Sequence, residues 1–586
     1  VGINISIEGK HIKQFSSFAL SQHIFNHHSF RLVCPTEAID GESGTIFHSS
    51  KDMIGGSFNV KIDAVGGTGS LQFSGVITEI EAARHSGHAG DIIISGYSPT
   101  ILLDNGPHCK SWEKKAVKNI AQDILRHFPQ NLLQPKIAPS YGETLSYTVQ
   151  YKETAWQFLC RLSATYGEWL YYDGQKLMLG PPQGSSIKLL YGSTLHHFSM
   201  ALQVRPASFQ MMAYDYMNNE VYDGAPSGIA AKAGLSELGK HTLHKSEKFY
   251  AVKPKQWHNQ FLTNKKQLDD FVNTRASMQS SNMVRFNGSS DHPALQVGGG
   301  ASIEGRNVYN HADESFGDYT IISVEHHCDG QGNYSNSFVA IPASVKMPPL
   351  TAYAEPHCET QSALVTDNYD PKGLGRVRVR FHWMNDTEKS PWLRVTSPHG
   401  GDGKGMFFIP EVGEEVIVGF EGDSPVKPYI IGTVYHGKAK TDFSNNGNDV
   451  KALQTRSGNM IVMNDAEGSV HVADAKGNNV KMDGGGNINV TASDNIVLTC
   501  GDAKIEMKKD GTINITGKKI IINADDQAVL ESKQAKFTAD GGGNEATMEG
   551  MKAAVKGTTE TKIDGAQTTV SASAKVTVQA AMIMLN

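Results

Sequence analysis

An eight-residue repeat dominates the last quarter of the chain and limits what that part can fold into. From residue 486 onward, apolar residues recur at intervals of 8, 9, 8, 8, 8 and 8 residues. The recurring positions are Ile488, Ile496, Ile505, Ile513, Ile521, Val529 and Phe537. Four of the units carry a second apolar residue two positions later, and residues i and i+2 share one face of a strand. Gly, Asn and Asp between them favour turns. Each unit is therefore predicted to be a short strand followed by a corner.

The composition of this region argues against an ordinary globular core. All 22 prolines lie at or before Pro428, all six tryptophans at or before Trp392, and Phe537 is the one aromatic residue after Phe443. A conventional core needs bulkier side chains, and a chain of such units cannot cover its own apolar stripe. We therefore expect several copies to wind around a common axis, which would bury the stripe and pair the strand edges between chains.

Two other interpretations of the repeat were weighed. A flexible linker has no need of a phased isoleucine column. A single-chain solenoid needs rungs of about 20 residues or more, with caps at its ends. We expect a linker over residues 441–452 and an intertwined trimeric β-helix, here called the needle, over 453–586.

Residues 360–440 are predicted to form a small closed barrel, because short alternating strands are separated by Gly and Pro turns. The predicted strands cover residues 376–381, 392–396, 405–409, 415–420 and 428–435. Arg376, Arg378 and Arg380 alternate onto one face of the first of these strands. A barrel that binds nucleic acid needs aromatic stacking platforms and a basic groove, so we expect this face to be solvated or to lie between subunits.

Residues 1–355 are predicted to be a mixed β/α region, mostly strands with a few helices and two barrel subdomains. Alternation indicates strands at 1–7, 57–62 and 71–80. Helical periodicity predicts helices over 111–128, 153–166 and 266–278. Ser111 is the expected N-cap of the first helix, and Gly167 is the expected end of the second.

The charge balance, the short aliphatic runs and the cysteines argue against several classes of protein. The chain has 54 Lys and Arg against 60 Asp and Glu, a net charge of −6 with neutral histidine, which gives no basic footprint for nucleic acid. The longest aliphatic stretch covers only residues 92–94, whereas a bilayer span needs about 20 residues. No signal peptide is expected from the first residues. Six scattered cysteines without a Cys-x-x-Cys pair favour a reducing compartment and no disulfide framework.

The sequence offers little evidence for a metal site or a catalytic site. Histidines cluster at 23–28, 326–327 and 357, but neighbouring residues on a strand point to opposite faces, which suits no single metal ion. The carboxylate pairs 414–415 and 525–526 are adjacent in sequence and are expected to be solvated. We therefore predict no catalytic residue, no metal site, no cofactor and no enzymatic activity.

The barrel segment resembles a known family. Residues 370–383 (DPKGLGRVRVRFHW), 391–395 (PWLRV), 408–423 (FIPEVGEEVIVGFEGD) and 428–437 (PYIIGTVYHG) resemble, in order, the barrel of VgrG proteins. These are the spikes of bacterial type VI secretion systems, related to the hub and needle of contractile phage tails. Residues 154–172 resemble the helix-to-strand element of the family's hub, and residues 18–32 resemble its first strands more weakly. The resemblance implies a hub over 1–355, an oligosaccharide/oligonucleotide-binding (OB) fold over 360–440, a needle, and a homotrimer.

The resemblance also implies a function. It is that of a structural, membrane-puncturing spike at the tip of a contractile type VI secretion tail. The implied partners are two further copies of the chain, a PAAR-type tip protein, an Hcp-type tube protein and baseplate at the hub end, secreted effectors and, transiently, the target membrane, but no nucleic acid. The implied location is the bacterial cytoplasm before firing and the target cell afterwards, without a signal peptide.

Two alternatives to that function remain open. The spike of an extracellular contractile injection particle or of a phage tail would share the mechanics. A polysaccharide-degrading tail-spike enzyme is the other, although sugars stack on aromatic rings and the repeat has almost none. We expect neither a lysozyme domain within 438–451 nor an effector domain after the needle.

The apolar run Met582, Ile583, Met584 and Leu585 is the expected docking site of the tip protein. Three copies would present an apolar triangle, and methionine adapts to the shape of a partner. No histidine follows His471, so an apex tied by imidazole-bound metal is not expected. Alternatively, these residues complete the last internal rung of the needle.

Overall fold

This computed structural model describes residues 1–41, 45–64, 69–85, 88–307, 309–530 and 554–585. It divides into two compact units, Val1–Thr441 and Asp442–Asn586. The first unit contains the hub and the OB barrel, and the second is called the needle unit below. The chain is mostly β, as predicted. Among the described helices, none combines the length and the apolar character that a bilayer crossing requires.

The hub is built on one 13-stranded sheet with the order β14-β18-β21-β20-β3-β4-β7-β6-β5-β1-β2, and β19 joins β13 to β20. Its strands are β1 (Gly2–Ile7), β2 (Lys10–His11), β3 (Ser17–His23), β4 (Ser29–Pro35), β5 (Ser57–Asp63), β6 (Ser70–His85), β7 (His88–Tyr97), β8 (His108–Ala116), β9 (Lys136–Ile137), β10 (Thr144–Glu153), β11 (Leu170–Tyr172), β12 (Leu177–Leu179), β13 (Ser186–Leu190), β14 (Leu195–Leu202), β15 (Gln210–Asp215), β16 (Glu220–Gly224), β17 (Lys255–Trp257), β18 (Val284–Ser290), β19 (Gly300–Arg306), β20 (Asp313–Asp329) and β21 (Tyr334–Pro342). Its helices are α1 (Thr36–Asp40), α2 (Val117–Leu125), α3 (Gln130–Leu133), α4 (Ala155–Tyr166), α5 (Ile229–Lys232), α6 (Glu237–Phe249) and α7 (Lys265–Ser280).

The first predicted helix is wrong in its N-terminal third. Ser111 lies inside strand β8, opposite Val149 of β10, and helix α2 begins only at Val117. The strand prevails because Trp112 is buried by packing and donates a 2.9 Å hydrogen bond to Asp123. The apolar stripe of α2 is buried as predicted.

The other two predicted helices are confirmed. Helix α4 begins at a capping box, in which the Thr154 hydroxyl accepts from the Gln157 amide and the Gln157 side chain accepts from the Thr154 amide. It ends at Gly167, whose φ of 73° favours glycine. Helix α7 covers the third prediction and extends it at both ends, with Leu268 and Val272 buried.

The OB barrel follows the hub. Its strands are β22 (Gln361–Asp367), β23 (Arg378–Phe381), β24 (Gly400–Gly401), β25 (Lys404–Gly405), β26 (Glu415–Phe420) and β27 (Pro428–Thr433), of which four form the antiparallel sheet β23-β22-β26-β27. Two predicted strands are wrong. Residues 392–396 make only single bridges, and residues 406–409 form no strand. Ile409 instead packs, half-buried, against the barrel core, while Phe407 is 78% exposed.

The needle unit is an antiparallel meander in two sheets, β28-β29-β30-β31-β32 and β33-β34-β35. The strands are β28 (Val450–Gln454), β29 (Met460–Asn464), β30 (Ser469–Ala473), β31 (Asn479–Met482), β32 (Ile488–Thr491), β33 (Asn495–Cys500), β34 (Ala503–Lys508) and β35 (Ile513–Thr516). The predicted strand-and-corner units are present up to Thr516. Strand edges that we expected to pair between chains pair within the chain here, because tight turns reverse its direction after each strand.

Candidate functional surfaces

One face of the needle unit is apolar. In the second sheet, Leu498 pairs with Ile505, and Ile505 pairs in turn with Ile515. Ile496 and Ile513 both pair with Met507. Because residues at i and i+2 share a face and directly paired residues point the same way, both predicted apolar columns lie on one side of the sheet.

The predicted axial residues are exposed in the single chain. Ile488, Ile513, Ile521 and Val529 are each more than half exposed, whereas Ile496 is half-buried. The first two lie in strands β32 and β35, but Ile521 and Val529 lie outside every strand. Phe537 falls outside the described residues.

The first sheet of the needle unit is also apolar on one face, at positions that the eight-residue spacing does not predict. Pairs at i and i+2 occur in β29, β30, β31 and β32, and their members are paired across neighbouring strands. These residues are Ile461, Met463, Val470, Val472, Val480, Met482, Ile488 and Val490. The i, i+2 apolar pairs could have revealed them, but the spacing between pairs is irregular before residue 488.

The needle unit has no apolar core of its own among its described residues, 442–530 and 554–585. Every buried hydrophobic side chain of the described chain lies at or before Ile430. Burial of apolar surface is the main driving force of folding, and a single-layered sheet leaves one side of each apolar residue in water. This face is therefore the principal candidate interaction surface of the needle unit.

Two turns of the needle unit share one construction. Asp474 accepts hydrogen bonds from the amides of Lys476 and Asn478 and from the Asn478 side chain, at 2.8, 3.0 and 2.7 Å. Asp483 makes the same set with Gly485 and Asn487. These bonds, above all the one from the asparagine side chain, lower the pKa of both carboxyl groups. The Asp and Asn between the strands are thus explained as turn-formers.

The predicted tip residues are solvent-facing. Met582, Ile583, Met584 and Leu585 are all half or more exposed, and none lies in a strand. They form a continuous apolar run, and both the docking site and the last rung of an inter-chain needle stay predictions for it.

The hub and the OB barrel share a hydrophobic core. Tyr147, Val149 and Tyr151 of hub strand β10 pack in one buried cluster with Val365 and Val416 of the barrel. The Gln361 amide of β22 donates a 2.9 Å hydrogen bond to the Tyr151 hydroxyl. A hub strand therefore completes the barrel core.

Two of the three arginines of the barrel row, Arg376 and Arg378, are not solvated, which corrects the sequence prediction for them, whereas Arg380 pairs with the exposed Asp386. Arg376 is buried and donates two hydrogen bonds to Asp370, at 2.9 and 2.8 Å. These bonds hold the pKa of the Asp370 carboxyl far below its usual range. Arg378 donates to Glu113 of the hub at 2.7 Å. Arg376 and Arg378 therefore both contact the hub from the barrel. The Arg376 guanidinium lies 3.3 Å from the Tyr216 hydroxyl of the hub.

Two of the clustered hub histidines, His28 and His326, lie in a buried polar chain. Gln22 connects His28, 3.3 Å away, with His326, 3.2 Å away, and the other ring nitrogen of His326 lies 2.6 Å from the Tyr334 hydroxyl. Burial lowers the pKa of His28 and of His326 to about 3, so both are neutral at physiological pH. Among the described residues no three His, Cys, Asp or Glu side chains group together as metal ligands would.

Comparison with known proteins identifies the family. Residues 47–332 match the phage tail baseplate hub family, and residues 361–435 match the OB domain of type VI secretion and phage-baseplate injectors. The chain is 24% identical to the type VI secretion spike protein VgrG1a of Pseudomonas aeruginosa, across 88% of this chain and 91% of that protein. The chain belongs to the VgrG family of type VI secretion spike proteins. As a VgrG, it is a structural, puncturing spike.

Two further likenesses agree with this VgrG assignment. The chain is 24% identical to VgrG1c of the same organism, across 69% of this chain and 58% of that protein. The solved Francisella PdpA–VgrG complex is similar in fold, with a TM-score of 0.50 and 9% identity, across 88% of this chain and 79% of that chain.

Proposed function

We propose that three copies of this VgrG join through the apolar face of the needle unit and form a needle around a common axis. The single observation that carries the proposal is that this unit has no buried apolar side chain of its own among its described residues. Burying a side chain such as Ile513 fully contributes roughly 1.5–3 kcal/mol relative to exposure. Repeated along the stripe and over three copies, this gain offsets the entropy of association.

The hub end of the spike is proposed to receive the thrust of the contracting tail, through an Hcp-type tube protein and the baseplate. The shared core between strand β10 and the barrel supports this role. Close-packed interiors have low compressibility, so force applied to the hub passes to the barrel without a hinge between them.

The far end of the needle is proposed to carry a PAAR-type tip protein on the apolar run Met582–Leu585, whose side chains are exposed. Secreted effectors are proposed to travel with the spike. The protein is proposed to reside in the bacterial cytoplasm before firing and then to pass into the target cell, with only transient contact with its membrane. In this role the chain itself catalyses no reaction.

The oligomeric state of the full chain tests the proposal. Light scattering on the purified protein should give three times the 63.6 kDa mass of one chain, independent of dilution into the micromolar range. A folded particle with the mass of one chain would show that the apolar face is covered in another way.

A further inference from the structure

A basic segment on the hub surface begins within helix α6 and ends with strand β17. From Lys240 to Lys255 the chain carries five lysines against one acid, Glu247, so the segment has a net charge of 5 − 1 = +4 in a chain whose net charge is −6. The lysines are Lys240, Lys245, Lys248, Lys253 and Lys255. Among the described residues only Lys240 has an ion pair, with Glu237. The other four lysines have no ion pair with any residue that the structure describes.

The same segment exposes large apolar side chains. Phe249 is 70% exposed, Val252 84% and Trp257 57%. Singly exposed apolar residues are normal, but three within nine residues, surrounded by charge, mark an interaction surface. We call residues 240–257 the basic hook.

The hook is anchored to the hub from its inner side. Thr242, Leu243 and Ser246 of helix α6 are buried, and the Ser246 hydroxyl accepts a 3.1 Å hydrogen bond from the Arg205 amide. The exposed residues of the hook therefore take no part in the hub core. Those within helix α6 are held in place by a separate, buried face of that helix.

The hook ends in an open strand edge. Strand β17 is an outer strand of the sheet β16-β15-β17 and pairs in parallel with β15 alone. The Gln210 amide donates to the Pro254 carbonyl at 2.9 Å, and the His258 amide donates to the Met212 carbonyl at 2.8 Å. Because successive residues of a strand direct their backbone groups to opposite sides, those of Lys255 and Trp257 face away from β15. They are available to a further strand.

We propose that the basic hook binds an extended, acidic segment of another protein, which pairs with the free edge of β17. The lysines match an acidic partner in charge, Phe249 and Trp257 offer apolar contact area, and the free edge offers main-chain hydrogen bonds. An anionic membrane would use the first two features but not the third. Lysine and proline also protect edges from unwanted pairing, which accounts for Pro254 and Lys255 but not for exposed Phe249 and Val252.

The inference rests on hub residues and does not depend on the needle proposal. It is tested with the full chain and a fluorescein-labelled synthetic peptide of alternating glutamate and valine, with a lysine–valine peptide as the reference. Fluorescence anisotropy should show binding of the acidic peptide that weakens with salt, because charges are screened over about 10 Å at 0.1 M ionic strength. The triple variant Lys248→Glu, Lys253→Glu, Lys255→Glu should weaken binding about tenfold or more.

A matched control distinguishes the loss of hook lysines from a general change in net charge. Lys51→Glu, Lys118→Glu, Lys176→Glu makes the same charge change at exposed hub lysines outside the hook and should retain binding. Equal loss in this control, or equal binding of the lysine–valine peptide, would overturn the proposal. Binding of phosphatidylserine vesicles without binding of the peptide would reassign the hook to a membrane. A fall in particle mass caused by the hook variant alone would reassign it to a contact between copies.

Discussion

Leu498 and Ile505 face each other across strands β33 and β34, yet 60% of the first residue and 40% of the second remain exposed. Cross-strand pairing brings the two side chains together, but one sheet covers each of them from one side only. The same holds for Ile505 and Ile515. A surface built with this regularity and left uncovered within the unit is best understood as one half of an interface.

Loss of the buried ion pair in the barrel should destabilise the first unit. In Asp370→Asn the Arg376 guanidinium stays buried but loses its charged partner, whose side chain is 2% exposed. Removing one member of a buried pair leaves an uncompensated charge, which costs about 3 kcal/mol. Urea unfolding followed by tryptophan fluorescence should show the lower midpoint.

The control for that variant is Asp386→Asn. Asp386 pairs with Arg380 at 2.6 Å but its side chain is 96% exposed, and exposed pairs contribute little. The urea midpoint of Asp370→Asn should therefore be clearly lower than that of Asp386→Asn. Equal midpoints for both would show that burial of the Arg376 pair does not matter.

A substitution in the hub should loosen the barrel. Val149→Ala removes two methyl groups from the shared core and leaves a cavity, at a cost of roughly 2 kcal/mol. Hydrogen exchange should become faster in barrel strand β26, which contributes Val416 and Val418 to that core. Lys115→Ala, on the exposed side of strand β8, is the control and should leave β26 unchanged. Protection of β26 that is the same in both variants would refute a shared core.

Acid should destabilise the hub through its buried histidines. The pKa of His28 and of His326 is lowered from 6.5 to about 3 in the folded chain. Between these values the unfolded state binds more protons than the folded state, so the free energy of unfolding falls as the pH decreases from about 6.5 toward 3. Above pH 6.5 the two groups contribute no pH dependence.

Urea midpoints measured from pH 8 to pH 4 test this sign. In His326→Gln the decline should be shallower, because one of the two depressed titrations is gone while the glutamine retains hydrogen-bonding capacity toward Gln22 and Tyr334. A decline of the same slope in the variant would assign the acid sensitivity to other groups.

Docking of the tip protein is expected to depend on the methionines of the apolar run. Met582→Ser together with Met584→Ser removes flexible apolar area from that surface. Capture of a purified PAAR-type protein should be lost, while the particle mass stays unchanged. Thr577→Ser with Gln579→Ser, two exposed positions nearby, should keep full capture. Equal capture by both variants would place the docking surface elsewhere.

Sequence reasoning was strongest where a pattern has one cause. The Ile488–Ile513 column is set by strand alternation alone, and the end of helix α4 at Gly167 is local in sequence. Both could be predicted without knowing any distant contact. The predicted OB strand over 415–420 is also confirmed, because buried valines alternate there with less buried residues.

The errors have a common physical origin in distant partners. Ser111 is in a strand because Val149 lies opposite, 38 residues later in the chain. Arg378 looked solvated because its partner Glu113 lies 265 residues earlier in the chain. Likewise, no local signal indicates that Tyr147 of the hub completes the barrel core. Each of these features depends on contacts that periodicity does not record.

The most direct test of the inter-chain needle compares two neighbouring residues of strand β35 by native mass spectrometry. Ile513→Asp places a charge on the apolar face, whereas Asn514→Asp places the same charge on the opposite face. If the face is the core between three chains, burying three unpaired carboxylates is prohibitive, so Ile513→Asp should yield single chains and Asn514→Asp should remain trimeric. Trimers of equal stability in both variants, or a wild-type protein that is already a single chain, would contradict the account.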